Sequence, residues 1–141
     1  MKNIDGNSIK MSGLRNTKSR SAILEILEQS TQPMSAEQIF LDLKEKNITT
    51  NLSTVYRTLD AFADKKLATK LFLTGEDRTL YEINRMVHRH YLICLGCKKI
   101  MPIDHCPLGD YEKSLAKKTN YLISGHRLDI YGYCPECKLK I

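Results

Sequence analysis

Apolar residues recur at spacings of three and four in three segments of the first half of the chain, as they do in amphipathic helices. The first segment has its apolar positions at Ile23, Leu24, Ile26 and Leu27. Thr17 precedes these positions and is the predicted N-cap of the helix. Residues 1–12 are polar and lack such a period, so we expect a mobile arm there, or a helix that forms only on docking.

The second and third segments carry their own start signals. Ser35 and Gln38 have the spacing of a capping box at the start of the second helix. The apolar positions of this helix are Ile39, Phe40, Leu41 and Leu43. Asn51 is the predicted cap of the third helix. The inner face of the third helix holds Val55, Leu59, Phe62 and Ala63, and its outer face holds Tyr56, Arg57 and Asp60.

Two strand-like runs, residues 67–73 and 80–83, follow the third helix. Residues 74–78 join them and contain a glycine, which indicates a hairpin. Three short helices and a hairpin predict a winged helix–turn–helix. In that fold the third helix enters the DNA major groove and the hairpin contacts the backbone.

Several polar residues of this half are candidate DNA contacts. Ser53 and Thr54 can bind phosphate, Arg57 can bind a guanine edge or a phosphate, and Tyr56 can contact a thymine methyl group or a sugar. The alternative is that Tyr56 and Arg57 only form an exposed helix face. Basic candidates near the first helix are Arg15, Lys18 and Arg20.

Short apolar runs alternate with turns from residue 88 onward. The predicted strands are residues 91–94, 99–103 and 127–131. Residues 111–118 form a predicted helix with Asp110 as its cap. This segment has too little apolar sequence for a large core, so we expect bound zinc and a partner subunit to stabilise it. The chain is therefore predicted to be α+β, with a winged-helix DNA-binding domain and N-terminal arm at residues 1–84. A small α/β, zinc-stabilised dimerisation domain follows at residues 85–141.

The formal net charge of the 141-residue chain is +6. Five basic residues and one acidic residue lie in the first 20 positions. This mild basic bias permits nucleic acid as a partner without requiring it. No apolar run is long enough to span a membrane, and the N-terminus is polar with no apolar signal segment. We therefore expect a cytoplasmic protein with no membrane partner.

All five cysteines and all four histidines lie after residue 87. Two Cys-x-x-Cys pairs, Cys94 with Cys97 and Cys134 with Cys137, can close a tetrahedral shell of four sulfurs, the usual form of a structural zinc site. The pairs are separated by 36 residues, so an intervening fold must bring them together. Disulfides would suit a secreted chain, a redox site would need only one pair, and an iron–sulfur cluster would leave the histidines without a role.

A second metal site is predicted around His88 and His90. Their spacing of two on a strand directs both rings to one face, where they can share a metal ion. His105, taken alone, is interpreted as an ordinary surface or core residue. An enzyme is not expected: no His-x-Glu precedes a Cys-x-x-Cys pair and no His-Glu-x-x-His occurs, as zinc deaminases and hydrolases would require. A zinc-ribbon interaction module would leave residues 1–87 unexplained.

Three motifs together resemble the ferric uptake regulator family of metal-responsive repressors. They are STVYRTL at residues 53–59, HRHYLICLGC at residues 88–97 and GHRLDIYGYCPEC at residues 125–137. The resemblance implies a homodimer whose C-terminal halves pair and whose N-terminal winged helices bind a palindromic double-stranded DNA operator. Metal in a second site would turn DNA binding on, with no small-molecule substrate.

The resemblance also implies ligand sets. The four Cys-x-x-Cys cysteines would hold the structural zinc, and His88, His90 and His126 would hold the second, regulatory metal. The family usually adds a carboxylate here, so Asp110 or Glu112 is a candidate fourth ligand, and Cys106 is a softer alternative. The Cys-Pro-Leu tripeptide at residues 106–108 is similar to zinc-responsive members of some Gram-positive bacteria.

Departures from the family pattern concern its hinge site. This chain keeps Glu82 but has Pro33, Arg89 and Tyr91 near positions where iron-responsive members carry histidines. Zinc-responsive members often have a cysteine in the wing strand, where this chain has Asn84. We therefore expect the hinge site to be lost or changed. The remaining nitrogen and sulfur donors favour zinc, with Fe²⁺ or Mn²⁺ bound more weakly. The sequence thus predicts a zinc-responsive repressor of metal-uptake genes, with an iron-, manganese- or peroxide-responsive member as the alternative.

Overall fold

The structure is a computed structural model that describes residues 6–85 and 88–141. The chain divides into two compact units, Met1–Met86 and Val87–Ile141. The first is a winged helix–turn–helix and the second a small unit of one sheet and one helix, so the predicted fold class is confirmed. Among the described residues, no helix has the length and apolar character needed to cross a membrane.

Four helices lie in residues 6–85, the described part of the first unit. They are α1 (Gly6–Met11), α2 (Lys18–Gln29), α3 (Ala36–Glu45) and α4 (Leu52–Asp64). The three predicted N-caps are confirmed. Thr17 Oγ1 accepts a hydrogen bond from the Arg20 amide, and Asn51 Oδ1 accepts one from the Thr54 amide at 2.8 Å. Ser35 and Gln38 form the capping box of α3 in both directions. These bonds satisfy amide groups that the first helical turn leaves without partners.

For residues 1–12 the sequence predicts a mobile arm or a helix that forms only on docking. Residues 6–11 form helix α1 in the single chain, so the mobile-arm alternative is wrong there. Ile9 is fully buried, and α1 packs against α2 in the core of the first unit. A helix of six residues that buries one isoleucine produces no visible apolar period, so the pattern missed it. The first five residues of the predicted arm lie outside the described residues.

A three-stranded antiparallel sheet completes the first unit. Its strands are β1 (Met34–Ser35), β2 (Ala68–Leu71) and β3 (Leu80–Ile83), in the order β1-β3-β2. The predicted hairpin is β2 with β3, paired from Ala68 with Ile83 to Leu71 with Leu80. The sequence did not predict β1, because two residues are too few to show alternation. Against this sheet, the inner faces of α2, α3 and α4 form the core.

The second unit is built on a central strand. Its elements are β4 (His90–Cys94), β5 (Ile100–Ile103), α5 (Gly109–Thr119), β6 (Asp129–Gly132) and a 3₁₀ helix (Cys137–Lys140). Strand β4 pairs antiparallel with β5 and parallel with β6. Helix α5 lies in the crossover that a parallel pair requires. The predicted cap of this helix is wrong: α5 begins at Gly109, and Asp110 lies in its first turn, where its charge complements the helix dipole.

One face of this sheet carries a row of exposed apolar side chains. Leu92 pairs with Met101 on one side and with Ile130 on the other. Their side chains are 42%, 51% and 47% exposed, respectively. The opposite face turns Tyr91 and Ile93 into the small core. A sheet with an apolar outer row is typical of a surface that another subunit covers.

Candidate metal centres

The four cysteines of the two Cys-x-x-Cys pairs meet at one end of the β4–β6 pair. Cys94 is the last residue of β4 and pairs with Gly132, the last residue of β6. Because the two strands are parallel, the turns that follow them lie at the same end of the sheet. The first turn brings in Cys97, and the second brings in Cys134 and Cys137. This parallel pairing is the intervening fold that the 36-residue spacing demanded.

Backbone amides donate hydrogen bonds to two of the four sulfurs, which lie close together. The amides of Cys97 and Cys134 donate to Cys94 Sγ at 3.4 Å and 3.3 Å, and the amide of Cys137 donates to Cys134 Sγ at 3.5 Å. All four sulfurs lie within 4.8 Å of one another, and none forms a disulfide. Amide-to-sulfur bonds from tight turns stabilise thiolates, the form that binds zinc.

The thiol pKa values follow from these contacts. Amide donors from Cys134 and Cys97 lower the pKa of Cys94 to about 6, so this residue is a thiolate at neutral pH. Hydrogen bonding to Cys134 and Cys94 raises the pKa of Cys137 to about 12. Four thiolates can therefore coexist at neutral pH only around a cation, and Zn²⁺ with four sulfurs fits this donor set.

Three histidines and Cys106 meet near the opposite end of the same strands. His90 is the first residue of β4, His88 lies two residues earlier, and His126 lies just before β6. His126 Nε2 lies 2.8 Å from His88 Nε2, 2.8 Å from His90 Nε2 and 3.3 Å from Cys106 Sγ. The thiol is also 3.3 Å from His90 Nε2. Four donor atoms thus point at one place.

Hydrogen bonding among these groups does not explain the geometry. An imidazole nitrogen has one proton or one lone pair, yet His126 Nε2 faces three donor atoms at close range. A metal ion satisfies all four at once. Nitrogens bound to a tetrahedral zinc lie about 3.3 Å apart, so the rings need to separate by only about half an ångström.

Two of the imidazole rings, those of His90 and His126, also contact groups outside the set of four donors. Burial, followed by the neighbouring His88 and His126, lowers the pKa of His90, and its ring also forms a hydrogen bond to the backbone of Leu128. The lowered pKa favours the neutral form of His90, which is the form that binds a metal ion. His126 uses its other nitrogen, Nδ1, to contact the carboxylate of Glu112.

The structure distinguishes between the remaining candidate metal ligands. Cys106 joins the three histidines, whereas Asp110, Glu112 and His105 do not. Two groups of potential metal ligands occur among the described residues (6–85 and 88–141), and Glu82 belongs to neither of them. Sequence reasoning did not find the contact between Glu112 and His126, although a carboxylate in the first turn of α5 was already a candidate ligand.

The candidate DNA contacts of α4 lie at its N-terminal end. Ser53 and Arg57 are exposed, and the Arg57 guanidinium approaches Thr54 Oγ1 at 3.4 Å. Near α2, Arg15 and Lys18 are exposed. Arg20 is half-buried and donates from Nη1 to the Arg15 carbonyl at 2.8 Å, so it also supports the turn before α2.

The position of Tyr56 differs from the prediction, which placed this residue on the outer face of the third helix. It is half-buried against the core of the first unit, and its hydroxyl donates to Glu37 Oε1 at 2.5 Å. This bond, followed by a backbone bond, lowers the pKa of Glu37. The hydroxyl is therefore hydrogen-bonded to α3, and only the edge of the Tyr56 ring is available to contact a thymine methyl group or a sugar.

A winged helix–turn–helix with two metal-binding groups in an attached α+β unit defines a class of metal-responsive DNA-binding regulators. The model of the ferric uptake regulator family matches residues 11–131, and the chain belongs to this family. Members of the family are transcription regulators and not enzymes.

Individual members of the family are similar to this chain over most of its length. The ferric uptake regulation protein of Legionella pneumophila is 30% identical over 135 residues, which cover 95% of this chain and 98% of the relative. The crystal structure of the Vibrio cholerae ferric uptake regulator is 31% identical with a TM-score of 0.80, covering 92% of this chain and 98% of that one. The Helicobacter pylori ferric uptake regulator, described as having three functional metal binding sites, is 29% identical with a TM-score of 0.81, covering 94% and 87%.

Gly96 offers a test of the four-cysteine site. A Cβ at this position would lie 2.8 Å from Cys137 Sγ and 2.9 Å from Cys137 Cβ. We predict that Gly96→Ala weakens zinc binding there by about 1–3 kcal/mol, the usual cost of overpacking. Competition with a chromogenic zinc chelator measures the loss. Gly109→Ala is the control, because its Cβ would meet nothing within 4 Å. Equal zinc retention in both variants would contradict the prediction.

The Tyr56–Glu37 bond predicts a pH effect. Tyr56→Phe removes the hydrogen bond that lowers the pKa of Glu37, so this pKa should rise toward its ordinary value. A carboxylate with a lowered pKa contributes stability above its ordinary pKa, and this contribution is lost as the pH falls through the folded-state value. The variant should therefore lose less stability on acidification. NMR titration of the Glu37 carboxyl checks the shift, and an unchanged pKa would refute the assignment.

Proposed function

We propose that this chain is a zinc-responsive, DNA-binding transcriptional repressor of metal-uptake genes. The observation that carries the proposal is the convergence of three imidazole nitrogens and Cys106 Sγ on one point. A thiolate with imidazoles in a four-donor set suits tetrahedral Zn²⁺, whereas carboxylates and water suit Mn²⁺ better. On this view the four-cysteine site holds a structural zinc and the histidine site a regulatory zinc.

The proposed DNA partner is a palindromic double-stranded operator. We assign the phosphate and base contacts to exposed and half-buried side chains at the start of α4 and around the start of α2. These are Arg15, Lys18, Arg20, Ser53, Thr54, Tyr56 and Arg57. Ser53 and Arg57 are free to face DNA, and a helix N-terminus favours a nearby phosphate. With DNA as its partner, the protein is proposed to act in the cytoplasm.

A homodimer is proposed for the second unit, which we assign as the dimerisation domain. Support comes from the apolar row of Leu92, Met101 and Ile130 on its sheet, which is exposed in the single chain. A symmetric dimer would bury such a row and would place two reading helices on a palindromic site.

Zinc is proposed to act through the chain that leads into the second unit. Only residues 84–87 separate the end of β3 from His88. A metal that joins His88 and His90 to His126 would fix the point at which the chain enters the second unit. We propose that this constraint raises the population of dimers whose reading helices are spaced for successive major grooves.

An iron-responsive regulator is the second candidate. The relatives at 30–31% identity are named ferric uptake regulation proteins. However, Fe²⁺ is a weaker competitor than Zn²⁺ for sites of this donor type. A zinc-bound manganese uptake regulator also shares the fold, at 25% identity with a TM-score of 0.76, and covers 91% of this chain and 96% of that one.

Replacement of His90 tests the proposed function. His90→Ala should weaken second-site zinc binding by roughly 100-fold, since loss of even a ligand's hydrogen-bond partner costs about 10–100-fold. It should keep the four-cysteine zinc and the dimer, and lose zinc-dependent binding to a duplex selected by the wild-type protein from a random library. Fluorescence anisotropy with zinc, iron and manganese, together with sedimentation velocity, measures these outcomes.

His105→Ala is the matched control, because His105 is exposed and lies outside both ligand groups. An unchanged zinc midpoint in His90→Ala would remove this site as the switch. Activation of the wild type by iron alone would favour the iron-responsive alternative, and a monomeric wild type would refute the dimer.

A further inference from the structure

Glu112 lies immediately behind the second metal group. It is in the first turn of α5, and its Oε1 contacts Nδ1 of His126, whose Nε2 faces the other donors. The side chains of His126 and Glu112 are 16% and 27% exposed, so the contact is partly screened from water. Asp110, in the same turn, is exposed and has no place in the group.

The contact determines which nitrogen of His126 can bind metal. A neutral imidazole carries a proton on only one nitrogen, and the hydrogen bond made by one nitrogen fixes the state of the other. An ionised carboxylate only accepts hydrogen bonds, so Nδ1 must donate to Glu112. The lone pair of Nε2 then points toward Cys106, His88 and His90.

The position of Glu112 allows it to orient a metal ligand, but not to act as a ligand itself. Its oxygen contacts Nδ1 and not Nε2, and it lies outside the four donors that are within 4.8 Å of one another. Its charge still matters. Three neutral imidazoles, one thiolate and a divalent ion carry a net charge of +1, and the nearby carboxylate brings the partly buried assembly to neutrality.

A second ring is held in a similar way, from the same segment. His90 forms a hydrogen bond to the backbone of Leu128, two residues after His126. Residues 126–128 therefore supply one ligand and the backbone partner of another. Glu112 links helix α5 to this segment through its contact with His126.

We propose that Glu112 is a positioning residue of the second metal site. It fixes the tautomer and orientation of His126, balances the charge of the bound ion and ties the start of α5 to the site. This inference rests on the proposed function, because it assumes that the histidine group holds a regulatory metal. It also assigns the α5 carboxylate a role different from the ligand role that the family resemblance suggested.

Cobalt titration tests the proposal with protein that retains zinc at its four-cysteine site. Co²⁺ bound to Cys106 and three imidazoles gives a sulfur-to-cobalt charge-transfer band and intense tetrahedral ligand-field bands. In Glu112→Ala we expect Co²⁺ affinity to fall by about 10–100-fold, the usual cost of removing such a partner. At saturation, the spectrum should match that of the wild type.

Two further variants complete the test. Glu112→Gln should recover part of the affinity, since its amide oxygen still accepts from Nδ1. Asp110→Ala is the matched control and should bind Co²⁺ like the wild type.

Other results would overturn the proposal. Equal affinities for Glu112→Ala and Asp110→Ala would show that the contact has no role. A changed band pattern at saturation in either Glu112 variant would make Glu112 a ligand. If the wild type bound no second Co²⁺ ion, the proposed function itself would fail, and the inference would fall with it.

Discussion

The parallel pairing of β4 with β6 is the constraint on which both metal-binding groups depend. Each strand is flanked by donors at both ends: β4 begins at His90 and ends at Cys94, and β6 lies between His126 and Cys134. Hydrogen bonds between the strands thus fix which histidine meets which, and which cysteine meets which.

This arrangement allows one strand pair to serve two chemical purposes. Five residues of β4 span about 13–17 Å, which separates the two groups without a long connection. Four sulfurs at one end suit an ion that stays bound and stabilises a unit with a small core. The more open group at the other end, with Cys106 and His88 exposed, suits an ion that exchanges with its surroundings.

The sequence predicted those features that local chemistry specifies. Residues within a few positions of one another specify N-caps such as Thr17 and Asn51 and the two Cys-x-x-Cys pairs. These features can therefore be recognised without a structure. Features that depend on residues far apart could not be predicted. The bond from Tyr56 to Glu37 joins two helices, and the fourth member of the histidine group was left undecided between Cys106 and carboxylates of α5. Only the fold places the thiol beside the imidazoles.

Two metal ions are proposed to occupy the two ends of one strand pair, and only one of them is proposed to exchange. Metal analysis of the purified protein during stepwise chelation tests this proposal most directly, with circular dichroism and DNA binding followed in the same samples. We expect two zinc ions per chain. Loss of the first ion should abolish DNA binding with secondary structure unchanged, and added zinc should restore binding. A single ion per chain, or simultaneous loss of both ions with unfolding, would contradict this assignment.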